Sequence, residues 1–239
     1  MAAVNMLLST RGLTRRFGGL TAVDNVDFDL PEGEIRALIG PNGAGKTTLV
    51  GLISGRVPPS AGSVAFAGRD ITAMPAHLRV REGIAYTFQI TSIFANLTVG
   101  ENVALAAQRP GGKPVSASEI LGRVGLAGLE HELARNLPYG HQRLLEVAMG
   151  LALRPRLLIL DEPTQGLSDG EIARFVALVR EIATEATVLL IEHNMDVVMQ
   201  LAERITVMDR GRVIAEGTPS EIRANRDVQA AYLGVPADG

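Results

Sequence analysis

The sequence has 239 residues, of which 46% are hydrophobic, and its formal net charge is −3. This length suits one large α/β domain, or a core with a subdomain, and the slightly acidic charge argues against nucleic acid as a partner. The absence of cysteine excludes disulfides, thiol catalysis and cysteine-based zinc sites.

Membrane spans and export signals are not predicted either. No run of 18 apolar residues indicates a transmembrane helix. The first residues, Met1–Leu8, have no basic region ahead of their short apolar run, so we expect no signal peptide. These features favour a cytoplasmic protein.

Strands dominate the first 40 residues. Residues 6–30 carry strand signals, and apolar residues at 26, 28 and 30 alternate with two aspartates, as in a half-buried strand. The segment Glu34–Ile39 then predicts a strand that runs directly into a glycine-rich loop.

That loop, Gly40–Thr47, fits the pattern G-x-x-x-x-G-K-[ST] of phosphate-binding loops. Its glycines let backbone N–H groups wrap a polyphosphate, Lys46 reaches the β- and γ-phosphates, and the Thr47 hydroxyl can bind Mg²⁺. The segment Thr48–Ile53 predicts the helix that leaves the loop, with Gly55 as its stop. The N-terminus of this helix would favour the phosphates.

The middle of the chain changes from strands to helices. A turn at 58–62 followed by Ser63–Ala67 predicts one more strand, and Ile84–Phe88 predicts another. Apolar residues then recur at helical spacing between 99 and 107 and between 120 and 126, on either side of a break at Arg109–Pro114. We interpret this region as a helical subdomain inserted into a nucleotide-binding core.

Apolar runs return after residue 150. The segments Leu157–Leu160 and Thr187–Ile191 are typical of buried parallel strands. A hairpin is predicted from Ile205–Met208 and Arg212–Ala215. The segment Thr218–Glu221 opens a last helix with the spacing of a capping box and a proline at the first helical position.

Polar residues follow several of these strands. Asp161 and Glu162 stand at the end of the first late strand, where a Mg²⁺ ligand and a carboxylate that polarises water would serve a phosphate loop. Gln89 follows the strand before it, and an amide there can complete the Mg²⁺ shell or orient water. His193 follows the last buried strand, where an imidazole can bind the γ-phosphate. Alone, Gln89 and His193 have ordinary structural explanations; together with the loop they indicate a hydrolytic site.

The combined motifs resemble those of the ATP-binding subunits of ABC transporters over essentially the whole chain. The segments that carry the resemblance are Phe17, Gly40–Thr48, Thr87–Gln89, Leu137–Arg143, Leu157–Pro163 and Ile191–His193. The resemblance implies an α/β fold: a P-loop NTPase (RecA-like) core with an antiparallel β-subdomain and an inserted helical subdomain. The core with its β-subdomain is expected at 6–88 and 145–217, the helical subdomain with the signature loop at 89–144, and a C-terminal helix and tail at 218–239.

The resemblance also implies roles for single residues. Phe17 stacks on adenine, although a hydrophobic residue that only fills the β-subdomain is the alternative. Gln89 links Mg²⁺ to the permease, Glu162 is the general base, His193 is the switch histidine, and Lys46 binds phosphate. The implied metal ligands are Thr47, Gln89 and Asp161. The implied ATP-binding set is Phe17, Gly40, Pro41, Asn42, Gly43, Ala44, Gly45, Lys46, Thr47, Thr48, Gln89, Asp161, Glu162 and His193, with Tyr139, Gly140 and His141 contributed in trans.

One branch of the family is favoured by four segments. Phe17–Val23, Thr87–Gln89, Leu137–Gly140 and Ala231–Gly234 are similar to branched-chain amino acid uptake ATPases. The similarity implies ATP and Mg²⁺ as cofactors. The implied partners are a second ATPase of the same or a related chain, permease subunits and a periplasmic or extracellular solute-binding protein. The implied location is peripheral, at the cytoplasmic face of the cell membrane. The helical region and Ile90–Phe94 are expected to bind the permease.

The signature loop departs from the family pattern L-S-G-G-Q. The aligned residues are Leu137–His141, and Pro138 removes both the serine hydroxyl and a backbone N–H. Gly140 still allows close approach, and the dipole of a helix running from about Gln142 still favours an anion. We therefore expect ATP binding across a dimer to survive, and it stays open whether one side is weaker.

A second departure follows Pro163, where serine stands in place of the usual aspartate. The next residue, Asp169, either substitutes for that aspartate or caps the helix that starts at Gly170.

Other functions fit the sequence less well. An ABC-type ATPase of translation or DNA repair would generally carry tandem units, coiled-coil insertions or cysteine-based zinc modules, and the sequence has none of these. A GTPase would need an N-K-x-D motif, which is absent, and the joined carboxylates with His193 disfavour a small-molecule kinase. An ABC ATPase serving another solute, a lipid or an exporter, and a non-hydrolysing regulatory subunit, stay open.

Overall fold

The computed structural model describes residues 5–87, 92–108 and 115–233. The strands are β1 (Met6–Phe17), β2 (Leu20–Pro31), β3 (Ile35–Ile39), β4 (Ala61–Phe66), β5 (Arg69–Asp70), β6 (Ile84–Tyr86), β7 (Leu157–Asp161), β8 (Thr187–Ile191), β9 (Arg204–Asp209) and β10 (Arg212–Gly217). The helices are α1 (Lys46–Ile53), α2 (Ala76–Glu82), α3 (Val99–Ala106), α4 (Ala117–Arg123), α5 (Tyr139–Ala152), α6 (Asp169–Ile182), α7 (Met195–Leu201), α8 (Pro219–Ala224) and α9 (Arg226–Leu233), with a 3₁₀ turn at Ala134–Asn136.

The larger sheet has the strand order β10-β9-β3-β8-β7-β6. Strands β9, β3, β8, β7 and β6 are parallel, and β10 is antiparallel at one edge. Every residue of β3, β7 and β8 is buried, as in a parallel sheet covered on both faces. The predicted runs at 34–39, 157–160 and 187–191 therefore form its centre, and their carboxyl ends share one edge, where open α/β sheets bind ligands.

The smaller sheet is antiparallel, with the order β2-β1-β4-β5. The predicted alternation holds in β2, where Val26, Phe28 and Leu30 are buried beside an exposed Asp27. The apolar face of this sheet shares a hydrophobic cluster with α1, including Leu49. The sheet thereby packs against the helix that leaves the glycine-rich loop.

Helices α3, α4 and α5 lie between β6 and β7, as predicted. Helix α3 begins with a capping box in which the Thr98 hydroxyl accepts from the Glu101 N–H and the Glu101 carboxylate accepts from the Thr98 N–H. Val103 of α3, Leu121 of α4 and Leu145 of α5 share one hydrophobic cluster with strands β7 and β8. The predicted break at 109–114 lies outside the described residues.

Two helix starts differ from the prediction. Helix α5 begins at Tyr139 rather than at about Gln142. Pro138 is its N-cap residue, with an extended backbone (φ −54°, ψ 151°), and the helical conformation starts at the next residue. Helix α6 is capped by Ser168, whose hydroxyl contacts the Glu171 carboxylate, so the alternative that Asp169 caps this helix is wrong by one residue. The alternative that Asp169 substitutes for the family's aspartate stays a prediction. The capping box of α8, with proline in its first turn, is confirmed.

The division of the chain at 88/89, 144/145 and 217/218 stays a prediction. Helix α5 runs without interruption across residues 144 and 145. The predicted boundary between the helical subdomain and the core therefore falls inside one helix.

Arg79 on α2 connects α1 to the loop that follows β5. Its side chain is buried, and its guanidinium donates to the carbonyl oxygens of Leu52 (2.7 Å), Ile53 (2.8 Å), Met74 (2.8 Å) and Thr72 (3.0 Å). Burial lowers the pKa of Arg79 to about 10. The two α1 carbonyls are among those that a helix leaves without an internal partner at its C-terminus.

Replacing Arg79 with methionine is expected to lower the free energy of unfolding by about 3 kcal/mol, because buried carbonyls lose their donor. Urea unfolding followed by circular dichroism measures this change. The matched control is Arg81→Met on the same helix, where the side chain is exposed. A loss of under about 1 kcal/mol for Arg79→Met would contradict a structural role for these bonds.

Candidate nucleotide-binding site

A cavity of about 610 Å³ lies at the carboxyl ends of β3 and β8 and beside the end of β7. Its lining comes from Phe17 and Leu20, residues 42–48, Glu162, Ile191 and His193, and Arg210–Gly211 of the β9–β10 turn. The structure therefore brings the glycine-rich loop, the residue after β7 and the histidine after β8 together, as the motifs predict. Leu20, Thr21, Ala22 and the hairpin turn were not among the predicted site residues.

The glycines of the loop are required by their surroundings. Gly40 (φ 152°) and Gly45 (φ 100°) adopt backbone conformations that favour glycine. A Cβ at Gly40 would lie 2.1 Å from the carbonyl oxygen of Met208, and one at Gly45 would lie 2.3 Å from that of Ala22. The loop is therefore packed against β9 and β2, and it holds the N-terminus of α1 towards the cavity, where unpaired backbone N–H groups favour an anion.

Lys46 lies at the first position of α1 with its side chain buried. Its ammonium donates to the carbonyl oxygens of Gly40 (2.6 Å) and Pro41 (3.1 Å), so the side chain connects the end of the loop to its beginning. Burial lowers the pKa of Lys46, and the carboxylates of Glu162 and Asp161 oppose that shift. The positive charge therefore sits inside the loop, within the field of both predicted site carboxylates.

Asp161 ends strand β7 and is almost fully buried. The hydroxyl of Tyr86 donates to its carboxylate at 2.6 Å. Burial raises the pKa of Asp161 and repulsion from Glu162 adds to this, while the Tyr86 bond and the charges of Arg143 and Lys46 lower it. Tyr86 was not predicted as a site residue, because its contact with Asp161 forms between neighbouring strands 75 residues apart in the chain.

Asp161 and Thr47 fit a hard divalent cation. Thr47 is exposed on the cavity wall and supplies a hydroxyl, and Asp161 supplies a carboxylate; oxygen donors of both kinds bind Mg²⁺. The raised pKa of Asp161 marks a buried negative charge that a cation would stabilise. Gln89, the third predicted ligand, lies outside the described residues.

Replacing Asp161 with asparagine is expected to raise the melting temperature of the nucleotide-free chain. Because the folded-state pKa of Asp161 lies above its ordinary value, its charged form costs stability at neutral pH, and that cost is relieved as pH falls towards the folded-state pKa. Thermal denaturation at pH 7 measures the change, and Mg²⁺-dependent ATP turnover should fall in parallel. An unchanged or lower melting temperature would contradict this electrostatic account.

Glu162 and His193 are in direct contact. The carboxylate of Glu162 lies 3.1 Å from Nε2 of His193. Glu162 has φ of 50°, a conformation that non-glycine residues rarely adopt, and its N–H donates to the carbonyl oxygen of Ile191 at 2.8 Å. This backbone conformation directs the Glu162 side chain from the end of β7 towards His193 after β8, so that it lines the cavity.

Glu192, between β8 and His193, was also missed by the sequence interpretation. Its side chain is buried and accepts hydrogen bonds from the backbone N–H groups of Thr164, His193 and Asn194. A glutamate that follows an all-apolar strand directly is a signal that could have found it.

Phe17 is exposed at the mouth of the cavity, with 45% of its surface accessible, next to the more exposed Leu20. The guanidinium carbon of Arg15 lies 4.4 Å from the centroid of the Phe17 ring. Phe17 therefore does not fill the interior of the antiparallel sheet, and its ring can support a flat group inside the cavity.

The signature residues Tyr139, Gly140 and His141 form the first turn of α5. Within the described part of the chain they do not line the 610 Å³ cavity. The Tyr139 hydroxyl donates to Oε1 of Gln165 at 3.3 Å, and Nε2 of His141 lies 3.4 Å from the Glu171 carboxylate. The structure thus separates this turn from the phosphate loop of the same chain.

A family model described as "ABC transporter" matches residues 23–165. The chain belongs to the ABC transporter ATPases. A second model, "Branched-chain amino acid ATP-binding cassette transporter", matches residues 212–238 of this ABC ATPase. The two matches span the phosphate loop, the end of β7 and the C-terminal helices.

Curated relatives agree with this assignment. The ABC ATPase is 39% identical to the high-affinity branched-chain amino acid transport ATP-binding protein LivG of Salmonella typhimurium, over 95% of this chain and 98% of the relative. It is 38% identical to BraF of Pseudomonas aeruginosa, which has the same description and the same coverage.

Solved structures confirm the fold. The ADP conformation of an ATP-binding cassette from an ABC transporter matches with a TM-score of 0.86 and 28% identity, over 96% of this chain and 99% of that one. The ABC ATPase therefore has the predicted P-loop NTPase fold, and it is an ATP-hydrolysing enzyme of a transport family. Among the described residues, no helix combines the length and hydrophobicity that a membrane span requires.

Proposed function

We propose that this chain is the ATP-hydrolysing motor subunit of an ABC importer for branched-chain or related amino acids. The observation that carries the hydrolytic role is the contact between Glu162 and His193 beside the Gly40–Thr48 loop. The similarity to LivG and BraF, and the C-terminal match, support import of branched-chain amino acids.

In this proposal Glu162 is the general base. Water attacks the γ-phosphorus of ATP, its proton passes to the Glu162 carboxylate, and ADP leaves with the electrons of the broken P–O bond. Nε2 of His193 lies 3.1 Å from this carboxylate, and the imidazole can donate to a γ-phosphate oxygen once ATP is bound. Lys46 and the loop amides stabilise the charge on the phosphates, and Phe17 supports the adenine.

Mg²⁺ would be held by Thr47, Asp161 and Gln89. When bound, the ion would neutralise charge on the β- and γ-phosphates. The chain's own contribution is a fixed carboxylate, because the Tyr86 hydroxyl orients Asp161 from the neighbouring strand.

We infer that a second ATPase subunit, a copy of this chain or a related one, completes the site. The signature turn at Tyr139–His141 stands apart from this chain's cavity, as a contribution in trans requires. The first N–H groups of the 14-residue helix α5 have no acceptor within the helix, so this end of the helix dipole would favour a γ-phosphate. ATP would close the two subunits head to tail, and hydrolysis would reopen them.

Replacing Pro138 with serine is expected to strengthen this closure. Pro138 is the N-cap of α5 and makes no side-chain capping bond. A serine there would offer its hydroxyl and a backbone N–H to the γ-phosphate held by the second subunit, a bond that forms only in the dimer and that is worth about 1 kcal/mol, or about a fivefold gain in ATP-induced dimerisation. Sedimentation with ATP measures the gain; unchanged dimerisation and ATPase rate would mean that the proline is not limiting.

The permease is proposed to dock in a second groove, of about 320 Å³, between the core and helices α3 and α5. The groove is mostly apolar, with Val80 on the core side and Met149 and Leu153 on α5. Ser92 lines it, and Phe94, two residues further along the chain, is 50% exposed. Together with the predicted segment Ile90–Phe94, this groove suits a permease segment, which would hold the chain at the cytoplasmic face of the membrane.

The proposed substrate is tested by reconstitution. The chain is purified with its permease and second ATPase in lipid vesicles, and a solute-binding protein is added with single amino acids. Leucine, isoleucine or valine is expected to stimulate ATP hydrolysis. Stimulation by a sugar or another solute, and by none of these three amino acids, would contradict the assignment to branched-chain import while leaving the ATPase role intact.

A further inference from the structure

The carboxylate of Glu192 joins the two loops that carry Glu162 and His193. Glu192 follows β8 directly, and only 4% of its surface is accessible. One of its oxygens, Oε1, accepts from the Thr164 N–H at 3.1 Å and from the Thr164 hydroxyl. The other, Oε2, accepts from the N–H of His193 at 2.7 Å and from the N–H of Asn194 at 3.0 Å.

From this arrangement we propose that Glu192 is a positioning residue for the reaction: it holds the backbone of His193 against the loop after Glu162 and so sets the Glu162–His193 contact. The inference deepens the proposed hydrolytic function and rests on it. Glu192 itself does not line the cavity wall described above, so its effect must pass through His193 and Thr164.

A carboxylate is the group that this position requires. Three of its donors are backbone N–H groups, which cannot act as acceptors, and they approach both oxygens. A glutamine has one acceptor oxygen and an NH₂ group. In one orientation the NH₂ group would face the Thr164 N–H, and in the other it would face the N–H groups of His193 and Asn194, so donor would meet donor in either case. A buried donor without an acceptor is costly, and the loops would move apart to relieve it.

The two loops are also joined through the backbone. The N–H of Glu162 donates to the carbonyl oxygen of Ile191 at 2.8 Å, next to the Glu192 side-chain bonds. Glu162 keeps its unusual φ of 50° within this double connection. Loss of the Glu192 side-chain bonds would weaken this connection, and the 3.1 Å contact between Glu162 and His193 would lose its fixed geometry.

The test compares Glu192→Gln, His193→Ala and the double variant in the full-length chain. Glu192→Gln is expected to lower kcat about 10- to 100-fold, while the Kd for a fluorescent ATP analogue stays within about twofold. If Glu192 acts through His193, the double variant should be no slower than His193→Ala alone, whereas independent effects would multiply. Glu119→Gln, at an exposed position on α4, is the matched control and should keep the full rate.

Three outcomes separate the hypotheses. Multiplied losses in the double variant, or an unchanged kcat for Glu192→Gln, would overturn the positioning role. A full rate for His193→Ala would overturn it as well, and would remove the proposed role of His193. If Glu192→Gln fails to fold, Thr164→Val can replace it, because it removes one donor from the same carboxylate at nearly constant volume. We then expect a smaller loss of kcat than for Glu192→Gln, and adding His193→Ala should give the kcat of His193→Ala alone.

Discussion

Replacing Lys46 with alanine is expected to abolish ATP turnover and to weaken ATP binding about 100-fold or more, because a buried charge that faces the phosphates is removed. Lys46 is buried and donates to the carbonyl oxygens of Gly40 and Pro41 at the start of the loop. Its loss therefore also removes two hydrogen bonds that hold the loop in shape. Equilibrium binding of a fluorescent ATP analogue and a steady-state ATPase assay measure the two effects.

The chain offers a natural control for this variant. Lys113 is the only other lysine in the sequence, so Lys113→Ala removes the same type of side chain and should leave binding and turnover intact. Full activity of Lys46→Ala would mean that the loop does not bind the phosphates.

Glu162→Gln is expected to separate ATP binding from hydrolysis. The amide cannot take a proton from water at neutral pH, so kcat should fall about 10²- to 10⁴-fold. The amide has nearly the size of the carboxylate and can still contact Nε2 of His193, so the 3.1 Å contact and the affinity for ATP should persist. Single-turnover hydrolysis and ATP binding, measured on the same preparation, test both parts.

A control for this substitution is Glu185→Gln, because Glu185 is an exposed glutamate far along the chain that pairs with Arg123. It should hydrolyse ATP at the unmodified rate. If Glu162→Gln kept that rate too, another residue would have to be the base.

Periodicity and motif spacing predicted the centre of the fold because they reflect strong local constraints. The mostly apolar runs that became β3, β7 and β8 are buried on both faces, which favours a parallel sheet with a ligand-binding edge. Gly40 and Gly45 could be predicted for the same kind of reason, since only glycine fits where a Cβ would overlap a carbonyl oxygen of β9 or β2.

Contacts between distant segments could not be predicted in this way. The Tyr86 hydroxyl reaches Asp161 from a neighbouring strand, and the Glu192 carboxylate reaches Thr164 from a loop 28 residues away. Neither residue belongs to a short motif that carries chemistry by itself. Their partners depend on strand order, which the sequence pattern alone leaves undetermined.

The misplaced helix starts have a local cause. Pro138 and Ser168 both adopt extended backbone angles directly before the first helical residue. Serine is a strong N-cap, and Glu171 three residues later completes the capping box, so this start could have been predicted from the chain. The start at Tyr139 matters more, because it places the signature residues in the first turn of α5 rather than in the loop before it.

In the proposed mechanism, ATP at the Gly40–Thr48 loop is enclosed by the signature turn of a second ATPase subunit. The most direct test is the molecular mass of Glu162→Gln in solution with Mg²⁺ and ATP, measured by light scattering, alone and with the ATPase that co-purifies with it. We expect a two-subunit mass with ATP, a one-subunit mass without nucleotide, and a one-subunit mass when Lys46→Ala is added. A one-subunit mass with ATP bound at full occupancy, both for Glu162→Gln alone and with the co-purifying ATPase, would contradict enclosure by a second subunit.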